Sequence, residues 1–596
     1  MWEVTNLMQQ ADFLDNGSLL KSVFAKHATS SIVAMFGATA GIMANSVLAG
    51  LFFGASGLAV MSVTIPFYSL FAALGSLVGV GGSTLTSYAL GRDDKEKANE
   101  AFSLSVVLGF ILPAIVVLIS LPFLEEVLFA FACPPELYEE ARFYSIIYVV
   151  GGFGTTLYYI PYGFLKLLGR LRAMMGLFLG MAGVNVILDI IFIKFLDMGV
   201  EGIALGMVIA TVGASVLGIW LLTREDGFFL VRALKKKDAF RLLKLGTPPA
   251  LNNFLIFLRL LLMNRIIGAA AGSEGLAIFS VLTTLENLSF VVLSGLSQAT
   301  SGFVGVFTKE LDTISVRRIE KQAHIVGLLF MLPMMLIMMF FPETVSRAFG
   351  LEKAAEATFI FAFGLLPAIP VFLLIFYYQA AGFTVLANIL VFCRAFLFSV
   401  APVWLLVDTL GLTSVYLSFV ISPVCTLLAI LPALWYYSKK NMSGILIQDL
   451  GAEQNGNYMS FSVNTETNAI IDSLDAVEDF SEKNSLSPKD EMLVRLSLEE
   501  MLLSIKQHVF PDKEDATVDV RLLFVNRAIS NMIVIRIRNE GSLFNPIDYY
   551  ERMKEEDPLS LGDALGIAMI AKAADIVHYK STFGINNLTV IIDKEG

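Results

Sequence analysis

The sequence predicts an all-α polytopic membrane protein with twelve transmembrane helices in two six-helix repeats, followed by a C-terminal α/β sandwich domain. Three observations carry that prediction. Residues 28–438 are apolar for most of their length, whereas from Lys439 onward the chain has the charge density and mixed periodicities of a water-soluble domain. Of the 596 residues 56% are hydrophobic and the mean hydropathy is +0.71, too apolar for an ordinary globular protein. A ten-residue segment of the first half recurs 218 residues later in the second.

The elements follow in order. The polar stretch Glu3 to Lys26 precedes an apolar run much longer than a signal h-region, so residues 1–27 are expected to be an N-terminal segment ahead of a retained span. A bilayer core of roughly 30 Å needs about 20 apolar residues of helix, so charge-free runs can be counted as crossings. No Asp, Glu, Lys or Arg occurs between Lys26 and Arg92, room for two helices with Gly54 and Gly57 marking the turn. Single crossings are expected at 102–124, 143–165, 173–193 and 202–223, completing a first bundle over 28–223. A basic linker at 224–244 leads to a second bundle over 245–438, with spans near 245–268, 279–306, 322–342, 357–380, 384–407 and 409–438.

Lysine and arginine in the loops set the orientation, because cytoplasmic loops keep the positive excess. With the N-terminus inside, the inner loops hold seventeen of them, from Arg92 to Lys321, and the outer loops only Arg142, Lys194, Arg347 and Lys353. An even number of spans then returns the C-terminal domain to the cytoplasm of a multi-pass cell-membrane protein. A net charge of −11 gives no support for nucleic acid as a partner. Cys133, Cys393 and Cys425 are odd in number and far apart, which points to neither a disulfide framework nor a zinc site. No G-x-x-x-x-G-K-[ST] loop occurs, so transport driven by a P-loop ATPase is disfavoured.

Gly54 to Val63 reads GASGLAVMSV and Gly272 to Val281 reads GSEGLAIFSV, with six of ten positions identical. The same offset relates Gly50 to Gly268 and brackets the basic linker, which favours a duplicated six-helix unit over chance similarity of two small-residue turns. Such repeats are the mark of transporters whose substrate site lies between the halves. Asn45 to Gly54, Leu58 to Val63, Pro66, Gly79 to Gly82 and the Gly91 to Ala98 loop resemble the first spans of the multidrug and toxin extrusion (MATE) transporters. Asn185 to Asp189 with Gly202 to Ala210 resembles the family's fifth and sixth helices, and Leu245 to Pro249 the start of its seventh. The resemblance covers about residues 28–438. It implies two six-helix bundles facing each other in a V and export of a small organic substrate against a proton or sodium gradient.

An ionisable side chain inside a span costs about 2.5–3.5 kcal/mol on insertion scales, so each needs a reason. Asp189 is the only carboxylate in the first six spans, and Asn185 lies one turn before it on the same helical face. Together they can offer a carboxylate and an amide to one cavity, to exchange a proton or coordinate sodium. The alternative is an interfacial Asp189 reaching towards Lys194. Where many MATE sequences carry an aspartate on the first span this chain has Asn45, which cannot titrate but can hydrogen-bond or supply an oxygen ligand. Arg259, Arg265, Glu286 and Arg394 lie within spans of the second half. An Arg259–Glu286 ion pair accounts for two of them, as a structural staple or as part of a substrate cavity, and several arginines around one cavity would suit an anionic substrate better than a cationic drug.

After a linker at 439–457, the tail at 458–596 reads as an α/β sandwich large enough for its own core. Strands are expected at 459–465, 518–525, 532–538, 575–580 and 587–593, helices at 466–480, 488–508 and 562–574, and a loop around Gly541 and Pro546. Leu498 to Ser504 with His508, Asn539 to Gly541 with Phe544 to Pro546, and Leu565 to Ile570 resemble the ATP-binding domain of anti-sigma-factor serine kinases, of the GHKL type. That resemblance implies Glu500 as catalytic base, and Ser504, Asn539, Gly541 and Gly566 as the cofactor-binding positions for ATP and magnesium. Ser504 replaces the family's magnesium-holding asparagine, Asn539 its adenine-reading aspartate, and Ala564 a glycine. A hydroxyl is a poorer magnesium ligand than an amide carbonyl, so the expectation is a retained fold with weak or absent nucleotide binding and no certain cofactor.

The expected function is therefore secondary transport rather than enzyme catalysis, with H+ or Na+ as coupling ion. The expected partners are the lipid bilayer, a small organic substrate and a cytoplasmic regulatory protein on the tail. The competing readings are a membrane-bound signalling protein whose tail acts as a serine kinase or anti-sigma-like regulator, and a flippase for lipid-linked substrates.

Overall fold

A chain crossing lipid must satisfy its backbone within itself, and the apolar region does so almost wholly as helix. The computed structural model describes residues 18–90, 94–168, 170–224, 228–230, 236–309, 312–439, 442–443, 446, 448–449, 456–511, 513, 516–526, 530–556, 565–582 and 585–595. Among them, 9 helices are long and apolar enough to cross a membrane, and the bent pair Glu352–Ala362 and Leu365–Ala380, at 56°, adds a tenth candidate. Two of the nine contain a break. The helix Ser18–Leu90 is interrupted at Gly54, with φ 62° and ψ −141°, and Lys236–Lys309 at Gly272, with φ 58° and ψ −147°. Leu118, Leu329, Phe340, Val385 and Trp404 are 69–73% exposed, as side chains facing lipid must be.

The chain forms two compact units. The larger comprises Thr29–Ser301 and Ala323–Ala433, and its duplication is visible in the backbone. At the first break a Cβ added to Gly57 would lie 2.9 Å from the Ala49 carbonyl oxygen; at the second, one on Gly275 would lie 2.9 Å from Ile267 Cγ2, so the chain doubles back in the same way 218 residues on. The short helix Leu124–Ala130 and the 3-10 turn Pro135–Leu137 are matched by Pro342–Ala348 and Glu352–Ala354. Between each pair one residue has positive φ, Ala132 at 59° and Gly350 at 68°. The packing is reciprocal: Gly50 of the first half leaves no room for a Cβ beside Phe349, and Gly268 of the second packs on Ala132. Hydrogen bonds join the halves. The Ser62 hydroxyl donates to Asn264 Oδ1 at 3.0 Å, and the Asn264 amide donates to the Ser62 carbonyl at 2.7 Å.

The smaller unit takes in Met1–Ala28, Gly302–Gln322 and Leu434–Gly596. A short antiparallel pair of two-residue strands, β1 (Met442–Ser443) with β2 (Gln448–Asp449), precedes a five-stranded antiparallel sheet. Its strands are β3 (Gly456–Asn464), β4 (Thr517–Asn526), β5 (Ser530–Asn539), β6 (Ile576–Thr582) and β7 (Ile585–Glu595), in the order β3-β4-β5-β7-β6. Period-two alternation sends Val518, Val520 and Leu522 of β4 and Ile533, Ile535 and Ile537 of β5 to one face. There they meet Val494, Leu498, Met501 and Ile505 of the helix Pro488–Val509, which starts with Ser487 as N-cap and proline in its first turn. The stretch expected as one helix over 466–480 is two, Thr467–Ser473 and Asp475–Lys483. The segment after Pro546 is a helix, Pro546–Glu556, rather than a loop, because that proline opens the helix at a position that needs no N–H. Ala564 and the 557–563 stretch before it lie outside the described residues.

Candidate functional site

The helix Leu171–Lys194 carries Asn185 and Asp189 one turn apart, both without solvent exposure. The Asn185 amide nitrogen donates to both carboxylate oxygens of Asp189, each at 3.0 Å. Asn45 joins them from the first long helix. With its amide turned to satisfy its neighbours, its nitrogen faces Asp189 Oδ2 at 2.9 Å, Asn185 Oδ1 at 2.9 Å and the Gly41 carbonyl at 2.8 Å. Glycines make the room. A Cβ on Gly206 would overlap Asp189 Oδ1, and one on Gly41 would come within 2.9 Å of Asn185 Oδ1. The three residues singled out in sequence are thus one buried cluster, a carboxylate held by two amides. Asp189 bonds to these amides and not to Lys194, whose ammonium sits 5.5 Å from the Phe52 ring centre.

A cavity of about 490 Å³ runs through the larger unit and draws its walls from both repeats. Asn45 lines it, but Asn185 and Asp189 do not; they stand one layer behind, so the carboxylate meets the cavity through Asn45 rather than directly. On the second-half side, Arg259 and Glu286 form the expected pair, with Nη1–Oε1 at 2.9 Å and Nη2–Oε2 at 2.5 Å. The two-pronged geometry is the strong form of such a bond. Arg394 also lines the cavity, its guanidinium 4.4 Å from the Phe372 ring centre, and its buried Nε has no hydrogen-bond partner. It sits in a π-helical turn, Cys393–Leu397, where its carbonyl accepts from Ser399 Oγ at 2.7 Å and Ser422 Oγ at 2.8 Å. Such turns re-aim a side chain within a helix. Arg265 departs from expectation: it is exposed and absent from the cavity wall, because its position on the helix faces away from the Arg259 stripe. Of the charged side chains in the wall three are basic, Lys166, Arg259 and Arg394, against one acidic, Glu286.

The opposite wall is aromatic. Tyr68, Tyr144, Tyr148, Tyr158, Tyr159 and Tyr162 line it, a feature that sequence reading missed. Its signal was available in the Tyr144, Tyr148, Thr155, Tyr159, Tyr162 stripe along Tyr138–Leu167, where hydroxyl-bearing residues recur at helical spacing.

In the smaller unit the Glu500 carboxylate lies against Gly566, so that a Cβ at position 566 would push it aside. Ser504, one turn after Glu500, is buried with its hydroxyl unpartnered. Asn539 is also buried, and its side-chain oxygen is already taken by the Gly541 N–H and by the Asn586 amide, both at 3.0 Å. A Cβ on Gly541 would collide with Val509 Cγ1. His508 stacks on Phe544 with ring centres 4.6 Å apart and an 18° tilt, and lies against Tyr549 at 4.6 Å. The five positions group as two pairs plus Ser504, and the acceptor of Asn539 is committed to the protein.

Comparison with known proteins places this geometry. The chain is 26% identical over 318 residues to the multidrug export protein MepA of Staphylococcus haemolyticus strain JCSC1435, covering 52% of this chain and 70% of that one. It is 28% identical over 243 residues to MepA of Staphylococcus aureus strain NCTC 8325 / PS 47, covering 40% of this chain and 53% of the relative, so it spans about half of that protein's length. Among solved structures, the inward-facing conformation of a multidrug resistance MATE family transporter of the MOP superfamily superposes with a TM-score of 0.64 at 22% identity, over 70% of this chain and 100% of that one. The MatE family model matches residues 30–191 and 248–405, one stretch in each repeat. With over half its length matched and the duplicated bundle in place, the chain belongs to the MatE family of membrane transporters.

Proposed function

We propose that this protein is a secondary active exporter of a small organic substrate, driven by protons or sodium ions moving inward. The observation that carries this reading is the fully buried Asp189 held by Asn185 and Asn45 directly behind a cavity that Asn45 lines. A carboxylate accepts from both amides; once protonated it becomes a donor and must find an acceptor instead. Protonating Asp189 therefore asks Asn45 to turn, and its turning alters the cavity wall. Sodium would act on the same group, drawing the carboxylate and amide oxygens towards itself. Because Asn45 cannot titrate, the single proton-exchanging group of this cluster is Asp189.

Counting the helices broken at Gly54 and Gly272 as two crossings each, and the bent pair as one, the nine candidates become twelve. With the positive excess of the intervening loops, that even number supports cytoplasmic N- and C-termini. The three-to-one excess of basic over acidic groups in the cavity wall, with an unpartnered Arg394 Nε, supports a substrate bearing an anionic group, its organic body lying on the tyrosines. The same basic wall supports a second reading, flipping of a lipid-linked anionic substrate. The tail is read as a regulatory domain of anti-sigma-kinase type whose nucleotide site has degenerated, since the Asn539 acceptor is engaged internally and Ser504 replaces a magnesium ligand. Ion-driven flux in proteoliposomes tests the transport reading: Asp189→Asn abolishes it while insertion and melting behaviour persist. Undiminished gradient-driven flux by that variant removes the proposed coupling site.

A further inference from the structure

An antiparallel sheet with helices on one face ordinarily turns its other face to water. This one does not. Arg521 of β4 and Arg536 and Arg538 of β5 point away from the helical side, yet are only 6–8% exposed. Arg521 stands directly opposite Arg536 in the strand register, an arrangement of like charges that is unfavourable without a counter-ion. A fully buried carboxylate that answers them is Asp312, from the connection between the helices Lys236–Lys309 and Thr313–Phe340, and Asp519 of β4 and Arg318 belong to the same charged group. Asp312 Oδ2 lies 2.7 Å from Arg538 Nη2 and 3.5 Å from Arg536 Nη1, and its Oδ1 pairs with Arg521 Nη1.

The contact is built on both sides. Arg538 also donates to Ser315 Oγ at 2.9 Å, and its guanidinium lies 4.7 Å from the Phe307 ring centre. Asp312 Oδ1 accepts from the Ser315 N–H at 3.0 Å, so the residue that holds the arginines is also the N-cap of Thr313–Phe340. Lys26 adds a bridge to Glu540 Oε2 at 3.1 Å, at the end of β5.

We propose that the outer face of the five-stranded sheet is an interaction surface whose partner is this chain's own Gly302–Gln322 connection, latched by Asp312 in the Arg521, Arg536 and Arg538 cluster, through which the C-terminal domain governs opening of the central cavity. Of the two long helices that flank Asp312, Lys236–Lys309 lines the cavity at Ser294 and Gln298, so a displacement of the sheet that pulls on Asp312 reaches the cavity wall along the chain. The second half of the proposal rests on the cavity being the transport chamber. Its test therefore reads access to the cavity and not ion coupling, and stands or falls independently of Asp189.

The full chain, with its three cysteines replaced and Thr39→Cys placed in the cavity wall, is examined by hydrogen exchange and by the rate of maleimide labelling. Asp312→Asn keeps a good N-cap while removing the charge. Exchange is expected to rise about tenfold at both 302–322 and 517–539, as local opening of one contact exposes both partners. Labelling of Cys at position 39 is expected to change severalfold in the same variant. Arg521→Gln with Arg538→Gln, which leaves the membrane connection untouched, must reproduce both effects, and carries the test should Asp312→Asn fail to fold. Release of one segment without the other, or release of both with unchanged labelling, overturns the proposal.

Discussion

At the scale of single residues, the proposed function rests on buried polar groups. Asp189 occupies space that only a glycine at position 206 allows, so Gly206→Ala should displace the carboxylate and suppress gradient-driven flux while leaving the fold inserted; retention of flux would show that the cluster's geometry is irrelevant to coupling. Asp312 obeys a different logic. Burial pushes its carboxyl up, but Arg521, Arg538 and Arg536 outweigh burial and hold it well below the ordinary carboxylate range. A depressed carboxyl contributes stability that is present above its unfolded pKa and lost only as pH falls through the folded one. The Asp312 contacts should accordingly persist from neutrality down to mild acid and yield only in strong acid, while Asp519, whose carboxyl burial pushes up beside the same arginines, takes up its proton first as pH falls; exchange at 302–322 across pH would report the loss. Asp312→Asn should cost the smaller unit about 3–5 kcal/mol, the usual penalty for leaving buried charges unanswered, measured by thermal unfolding. Asp189, Asn185 and Asn45 could be found in sequence because a lone charge and amides in apolar helices stand out. Asp312 could not: it lies in a loop where a carboxylate is unremarkable, and its partners come more than 200 residues later.

Among the elements, the breaks at Gly54 and Gly272 are the plainest trace of duplication, since both adopt a backbone conformation closed to other residues. A Cβ at either site meets nothing within 4 Å, so substitution costs only backbone strain. Gly54→Ala and Gly272→Ala should each destabilise by about 1–3 kcal/mol and by similar amounts, seen as matched falls in melting temperature. A marked difference between them would mean that the two turns carry unequal loads. The repeat was readable because the turn demands small residues and the following helix packs in the same way twice. Long apolar helices were readable from charge-free runs. The π-helical turn at Cys393–Leu397 was not: the Arg394 carbonyl it frees is taken by Ser399 and, from the separate helix Thr413–Leu428, by Ser422, a tertiary contact with no local periodicity. The tyrosine wall escaped notice for a related reason: in an apolar helix, tyrosine reads as core until a cavity is known to pass beside it. The helix Pro546–Glu556 reads as a loop in sequence because glycine and proline mark turns and helix starts alike.

On the scale of the whole molecule, two readings of solvent in one sequence correspond to two compact units, one built for lipid and one around a sheet. The sheet's inner face carries an apolar core and its outer face the arginines, a division that alternation along β4 and β5 already announces once the strands are known. Magnesium ATP added to the full chain should leave its melting temperature unchanged, because the Asn539 acceptor is committed internally; a rise saturating at micromolar nucleotide would restore a functional ATP site. The account as a whole depends on ions, not nucleotide hydrolysis, driving a substrate through the two-repeat cavity. Its most direct test is ion flux in proteoliposomes loaded with substrate candidates, run under imposed proton and sodium gradients for the native protein and for Asp189→Asn. Substrate-dependent flux of one ion that disappears in the variant is the predicted result. Transport that continues without either gradient, or that is unchanged in Asp189→Asn, contradicts it.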